Sequence, residues 1–373
     1  MGVGNQMELA SRADVTGVRE SHGGTSYQFY HCNMHRTRIQ VAFADRQVDR
    51  LMQRVLDERN AAIRQATCPL PGSKPYDNLR PINIPARLDG RTLLECVVEM
   101  YPQIESQQWQ EWFRLGHILL GQRPARMHRV VRGGEQFWHL FPDTVEPDVN
   151  GNVRVIWEDQ TLVAISKPAP LAVHPCGRFN RNTLTALLEE VYRRNSLRLV
   201  HRIDANTTGV MLLARSKPIA TSLREAFANN RIRKRYLVRL LGHPNRDRFD
   251  CHLSIGRYRH SAGARMTDPN GLEARTDFRL LARLPDGTSI AEANPYHGRT
   301  NQIRIHLWSM GMPVCGDPTY LPNGRVASRQ TLTTRCPPMC LHAWSITFTH
   351  PRQRHPMTLT AEPPAWTNPV VGK

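Results

Sequence analysis

The chain has 373 residues, with 50 Lys and Arg against 32 Asp and Glu, and a formal net charge of +18. That length allows two or three domains, and the charge favours a polyanionic partner, because each neutralised phosphate releases condensed counterions. No apolar run approaches the roughly 20 residues that cross a bilayer, and the N-terminus lacks the apolar stretch of a secretory signal. Eight scattered cysteines suit reduced thiols in a cytoplasmic protein.

In chain order, residues 1–66 form an N-terminal extension with no assignment. Within it Val48, Leu51, Met52, Val55 and Leu56 recur at helical spacing and predict one apolar stripe, flanked by Arg46, Arg50 and Arg54. Thr67–Pro85 carries five prolines and reads as extended chain, with a Pro-rich linker placed at 67–82. A small unit follows at 83–141. Asp89 is placed to cap a helix bearing Leu94, Val97, Val98 and Tyr101. Ser106 is placed to cap a second, with Trp109, Trp112 and Phe113 inward and Gly116 at its end. Ile118–Gly121 and Val130–Glu135 suggest short strands, and Arg114, Arg123, Arg126, Arg129 and Arg132 give the unit a basic character.

A second linker, 142–152, contains Pro142 and Pro147 and leads into a larger region, 153–373. There Leu184, Leu187, Leu188, Val191 and Tyr192 form a helical stripe. Ser216 and Pro218 open another helix carrying Ile219, Leu223, Ala226 and Phe227. Pro285-Asp286-Gly287 reads as a turn between two strands. Strands with interspersed helices and no strand-helix-strand period indicate an α+β fold with a mixed, largely antiparallel sheet and flanking helices. Two groups could tempt a metal reading, His31-Cys32 with His35 and Cys336 with Cys340 and His342. Neither makes a four-ligand set at zinc spacing, so no metal is expected.

The richest segment is His201-Arg202-Ile203-Asp204-Ala205-Asn206-Thr207-Thr208-Gly209. It lies between the apolar runs Leu197–Val200 and Val210–Ala214, so a polar turn presents Asp204 at the rim of a sheet. Alone, such an Asp more often simply closes a turn. Other segments accompany it: Trp157-Glu158-Asp159 with Leu162–Pro168 and Val173-His174-Pro175, Lys234-Arg235-Tyr236, Gly298–His306, Gly316-Asp317 and Leu341-His342-Ala343. In that order, over residues 151–365, the chain resembles the RluA-type pseudouridine synthases. The 83–141 unit, from Arg87-Leu88-Asp89 onward, resembles the small α/β RNA-binding module that such enzymes share with a ribosomal small-subunit protein.

The resemblance implies an isomerase that detaches uracil from its ribose, turns it and rejoins it through carbon-5. No electron, hydride or phosphoryl group moves, so no cofactor is implied. It also implies that Asp204 is a nucleophile, with Arg304 its charged partner and Tyr236 stacked on the uracil, serving in removal of the carbon-5 proton. Ile303 would close the other side of the base. Arg202 would fill the space left by the flipped nucleotide, with His201 near its phosphate. Arg299 and Asn301 complete the implied substrate-binding set, Asn301 standing where the family usually has His. The implied partner is RNA, ribosomal RNA of the large subunit first and transfer RNA second. A non-catalytic RNA-binding or ribosome-assembly protein on the same scaffold is the alternative, which would not require Asp204, Tyr236 and Arg304 together. Oligomeric state is not set by the sequence.

Overall fold

The computed structural model describes residues 19–22, 25–28, 46–193, 197–258 and 264–371. Two compact units divide the chain: Met1–Leu70 with Asp148–Lys373, and Pro71–Pro147.

The larger unit is built on a ten-stranded sheet. Eight strands run across it in the order Arg248–Cys251, Thr276–Arg283, Thr288–Pro295, Arg233–Leu241, Leu341–Thr349, Thr208–Ala214, Leu162–Lys167 and Arg154–Glu158. Pro356–Thr360 pairs with Leu341–Thr349, and Arg198–Leu199 pairs with Thr208–Ala214. Only Thr208–Ala214 beside Leu341–Thr349 is parallel; the other pairings are antiparallel. This is the mixed, largely antiparallel α+β arrangement expected from the sequence. Apart from this sheet, Arg19–His22 pairs antiparallel with Thr25–Gln28.

The parallel step sits next to the Asp204 loop and depends on one glycine. Gly209 has φ +113°, and an added Cβ would lie 2.7 Å from the Ala343 nitrogen and carbonyl carbon. Only a residue without a side chain lets the two strands meet there.

Helix Arg46–Ala66, which the sequence placed in a separate extension, belongs to the same compact unit as the large sheet. Leu56 and Ile63 enter the main core, whereas Leu51 is 64% exposed, so the apolar stripe lies further along the helix than expected. Val48 lies outside the residues whose side chains are described. Asn60 explains the docking. Its Nδ2 donates to the Val155 carbonyl at 3.1 Å and its Oδ1 accepts from the Val155 N–H at 2.7 Å. The amide thus satisfies backbone groups of the outermost strand, which would otherwise be an open edge. Arg59 and Arg215 both reach the buried Glu158 carboxylate, which also accepts from the Tyr192 hydroxyl at 2.7 Å.

The smaller unit pairs Tyr76–Asn83 with Gln136–Thr144, followed by Ile118–Leu120 and Arg123–Pro124. Two expected linkers are therefore partly strands. Pro81 is tolerated because Tyr76–Asn83 is the sheet's outer strand. The strand expected at Val130–Glu135 lies later, at Gln136–Thr144. Thr92, rather than Asp89, caps helix Leu93–Met100 through a capping box with Glu95. Asp89 instead accepts from the Gly133 N–H at 2.8 Å. Helix Ser106–Arg114 begins after Glu105, so Ser106 is its first residue and not its cap. Trp109, Phe113 and Ile118 fill this unit's own core. Its chain enters and leaves side by side, Glu146 N–H donating to the Gly72 carbonyl at 2.9 Å.

Gly209→Ala is expected to cost roughly 3 kcal/mol or more, from a disallowed backbone conformation plus overpacking. Urea unfolding of the purified variant checks this; a loss below about 1 kcal/mol would show that the two strands separate easily.

A candidate active site around Asp204 and Arg304

The Asp204 loop joins Arg198–Leu199 to Thr208–Ala214 and is pinned on several sides. The Ala205 carbonyl accepts from the Leu171 N–H at 2.9 Å and from Lys167 Nζ at 3.1 Å. Asn206 is fully buried, donating to the Gln330 carbonyl and accepting from the Leu332 N–H, both at 2.9 Å. Thr208 Oγ1 hydrogen-bonds His342 Nδ1 at 2.8 Å. Asp204 itself is left 26% exposed at the side chain.

Arg304 comes from helix Gln302–Ser309 and is 3% exposed. Asp317 takes it in a two-point grip, from Nε at 2.7 Å and Nη2 at 2.8 Å. The remaining nitrogen, Nη1, donates to Asp204 Oδ2 at 3.1 Å and to Asn301 Oδ1 at 2.9 Å. Burial disfavours the Arg304 charge, but the hydrogen bonds and charge of Asp317, then the charge of Asp204, outweigh it and raise its pKa. The guanidinium is therefore a permanent cation. Among the described residues, Asp204 Oδ1 has no hydrogen-bond partner.

Tyr236 packs against two apolar clusters, one of which contains Ile303. Burial, then the charge of Asp204, holds its phenol protonated well above the usual tyrosine range. The structure thus brings Asp204, Arg304, Tyr236 and Ile303 to one region. Arg202 stands exposed beside Asp204 in the chain, and among the described residues its side chain has no ion-pair partner. Arg299 is anchored by Nε to the Glu273 carbonyl at 2.9 Å.

Two expected contacts are corrected. His201 is not a cation facing phosphate: its Nε2 accepts from the Leu212 N–H at 2.9 Å, and its ring stacks on Phe227 at 4.5 Å. Burial and then Lys234 push its pKa down to about 3, so the ring is neutral. Asn301, implied in the substrate-binding set, is engaged within the protein: Oδ1 accepts from Arg304 and Nδ2 donates to the Tyr320 hydroxyl at 3.2 Å. Nearby, Arg235 and Arg239 are tied to Glu292 and Asp286. Of the two groups weighed and set aside as metal ligands, His31, Cys32 and His35 lie outside the described residues.

Sequence reasoning missed Lys167, Asp317 and Tyr320 as individual contributors. Lys167 is fully buried and donates to the carbonyls of Pro168, Leu171 and Ala205. Burial lowers its pKa to about 7, while the Asp204 charge pulls the other way. A charged residue closing the apolar run Leu162–Ser166 was the available signal.

The family model for RNA pseudouridylate synthase matches residues 161–309, which span the Asp204 loop, Tyr236 and Arg304. An RNA pseudouridine synthase of Synechocystis sp. is 31% identical over 282 residues, covering 75% of this chain and 97% of its own. Ribosomal large subunit pseudouridine synthase D of Nitrosomonas europaea is 29% identical over 289 residues, 75% of this chain and 83% of that one. The mitochondrial tRNA pseudouridine(32) synthase of Saccharomyces cerevisiae is 28% identical over 261 residues, 68% of this chain and 55% of that one. Sheet and matched sequence together define an RNA-modifying isomerase. The chain belongs to the RNA pseudouridine synthase family, in its RluA-type branch.

Buried neutral histidines give the fold an acid limit. His201 and His342 have folded pKa values of about 3 and about 4, both lowered chiefly by burial from 6.5. Below about pH 6.5 the unfolded chain binds their protons and the folded chain does not, so stability falls as pH drops from about 6.5 towards 4. Urea midpoints at pH 7 and pH 5 measure this, and His201→Gln is expected to flatten the slope; an unchanged slope would exclude His201 as a contributor.

Proposed function

We propose that the protein isomerises uridines in large-subunit ribosomal RNA, with Asp204 as the nucleophile acting on a flipped nucleotide. One observation carries the reading. Arg304 gives Asp204 a single hydrogen bond and reserves its two-point grip for Asp317. The carboxylate is held in place by a cation, yet one oxygen stays uncommitted for attack. Tyr236 supplies an apolar wall with a polar tip, and Ile303 belongs to the apolar cluster it packs on. The isomerisation breaks the bond between uracil N1 and the ribose and forms one to carbon-5; carbon-5 gives up its proton and N1 gains one, so the atoms balance. Proton transfer at carbon-5 is the role assigned to Tyr236; its phenol is held protonated in the free protein, so it must hand that proton on before it takes the one from carbon-5.

A uridine inside a helix cannot reach a carboxylate at the sheet rim, so it must leave its stack, at a cost of a few kcal/mol. Arg202, exposed and next but one to Asp204, is assigned to fill the vacated position. Ribosomal RNA is favoured because the likeness to the ribosomal synthase extends over 83% of that protein, against 55% of the transfer-RNA enzyme. The Pro71–Pro147 unit is assigned as a second RNA contact. Among the described residues the Arg123, Arg126 and Arg132 side chains are exposed there with no ion-pair partner, whereas Arg114 and Arg129 pair with Glu111 and Glu135. Transfer RNA is the second reading, supported by the yeast relative. Among the described residues no helix is long and apolar enough to cross a membrane.

Pseudouridine profiling of RNA from cells lacking the protein decides the substrate: loss of a ribosomal site is expected, and loss confined to transfer RNA would overturn the assignment. Asp204→Asn is expected to lower turnover roughly 10⁴-fold or more while RNA affinity stays within a few fold. Product mapping with a carbodiimide adduct and primer extension reads it, and a fully active variant would remove Asp204 from the chemistry. Arg202→Ala is expected to slow a structured RNA roughly tenfold more than a short unstructured oligonucleotide in single turnover. Equal losses would reject the gap-filling role.

A further inference from the structure

Helix Gln302–Ser309 begins at Asn301, whose backbone is left-handed at φ 58° and ψ 18°. Its carbonyl accepts the Ile305 N–H at 2.9 Å, as the first boundary residue of a helix does. An Asn in that position ordinarily turns its side-chain oxygen onto the helix's own unpaired N–H groups. Here it makes no such bond. The oxygen instead accepts from Arg304 Nη1 at 2.9 Å, and the nitrogen donates to the Tyr320 hydroxyl at 3.2 Å. That hydroxyl donates in turn to the Arg265 carbonyl at 2.7 Å, and the Tyr320 ring lies 5.0 Å from the guanidinium carbon. The helix forgoes its own cap so that the amide can reach Arg304.

Nη1 carries two protons, and it has two acceptors, Asp204 and Asn301. Asp317 fixes the guanidinium plane through the other two nitrogens. The chemistry of the second acceptor then matters. A carboxylate there would place a third anion on Arg304 and weaken its hold on Asp204. A group that loses acceptor capacity on protonation would release Nη1 in acid. A buried proton with no acceptor would carry a desolvation cost. A neutral amide avoids all three. The charged and titratable groups around it are Arg304, Asp204, Asp317 and Tyr320.

We propose that Asn301 is a positioning residue for the isomerisation, a neutral acceptor that takes one of the two Arg304 Nη1 protons and ties that nitrogen to Tyr320, directing the other Nη1 proton to Asp204. The inference rests on the reading of Asp204 as the nucleophile.

The test uses the full-length enzyme and transcripts of large-subunit ribosomal RNA and of transfer RNA, both tritiated at uracil carbon-5, with tritium release as the readout. Asn301→Gly removes the amide while keeping a residue at home with positive φ. It is expected to lower kcat about tenfold, with KM within twofold of wild type and a melting temperature within a few degrees. Asn301→His restores an acceptor that titrates. It is expected to approach the wild-type rate at pH 8 and to fall away at pH 6, giving an acid limb that the wild type lacks. A purely structural contribution would lower stability without creating that limb. Asn301→Gly with kcat within twofold of wild type would overturn the inference, as would a loss confined to KM, the mark of an amide that touches RNA. Equal rates for the wild type and Asp204→Asn on the same transcripts would instead sink the reading beneath it.

Discussion

The arrangement turns on how one buried cation is divided. Arg304 is almost wholly removed from water, which is tolerable only because carboxylates surround it. Asp317, itself inaccessible to solvent, takes two of its nitrogens and makes the charge structural. Asp204 takes one bond at 3.1 Å from the third. If the shares were reversed, the outer carboxylate would be locked in a two-point ion pair and its lone pairs spent. The inner carboxylate absorbs most of the attraction, and the outer one keeps its orientation through a single bond.

The fold supplies this division from widely separated stretches of chain. Asp204 sits on a loop whose backbone is gripped by Lys167 from one strand and whose Asn206 is clasped by the chain around Gln330 and Leu332. Arg304 arrives on a short helix that packs on strands Thr276–Arg283 and Thr288–Pro295. Asp317 follows that helix, and its Oδ1 also accepts from the backbone of Thr319 and Tyr320 at 2.9 and 3.0 Å. A carboxylate with that many donors has little freedom left. Rigidity is built outward from Asp317, and the exposed end of the network is Asp204.

Much of this was legible in the sequence, and the failures have physical causes. The Asp204 turn between two apolar runs, the Leu184–Tyr192 stripe and the Pro285–Gly287 turn all depend on local periodicity, which a single chain displays. Prolines misled where tertiary context overrode them. Pro81 lies in an outer strand, where its missing N–H leaves no ladder bond unmade. Asp89 and Thr92 were both plausible caps, and only the geometry of Glu95 separates them. His201 was expected near phosphate and Asn301 in the substrate-binding set because a resemblance carries positions over without their packing partners. The decisive facts were the long-range partners Phe227 and Tyr320, which spacing does not reveal. Lys167 was hidden for the same reason, since its three acceptors become neighbours only after folding.

The placement of helix Arg46–Ala66 bears on how the chain assembles. Asn60 can find Val155 only after the whole of Pro71–Pro147 has intervened, a long loop whose closure carries an entropic penalty. That penalty shrinks once the intervening segment collapses, because the bond between Glu146 and Gly72 brings its two ends together. On a ribosome the inserted segment is also complete before the strand that awaits the helix has emerged. The biosynthetic order is therefore nested: the inserted segment is made after helix Arg46–Ala66 and before the strand that the helix joins.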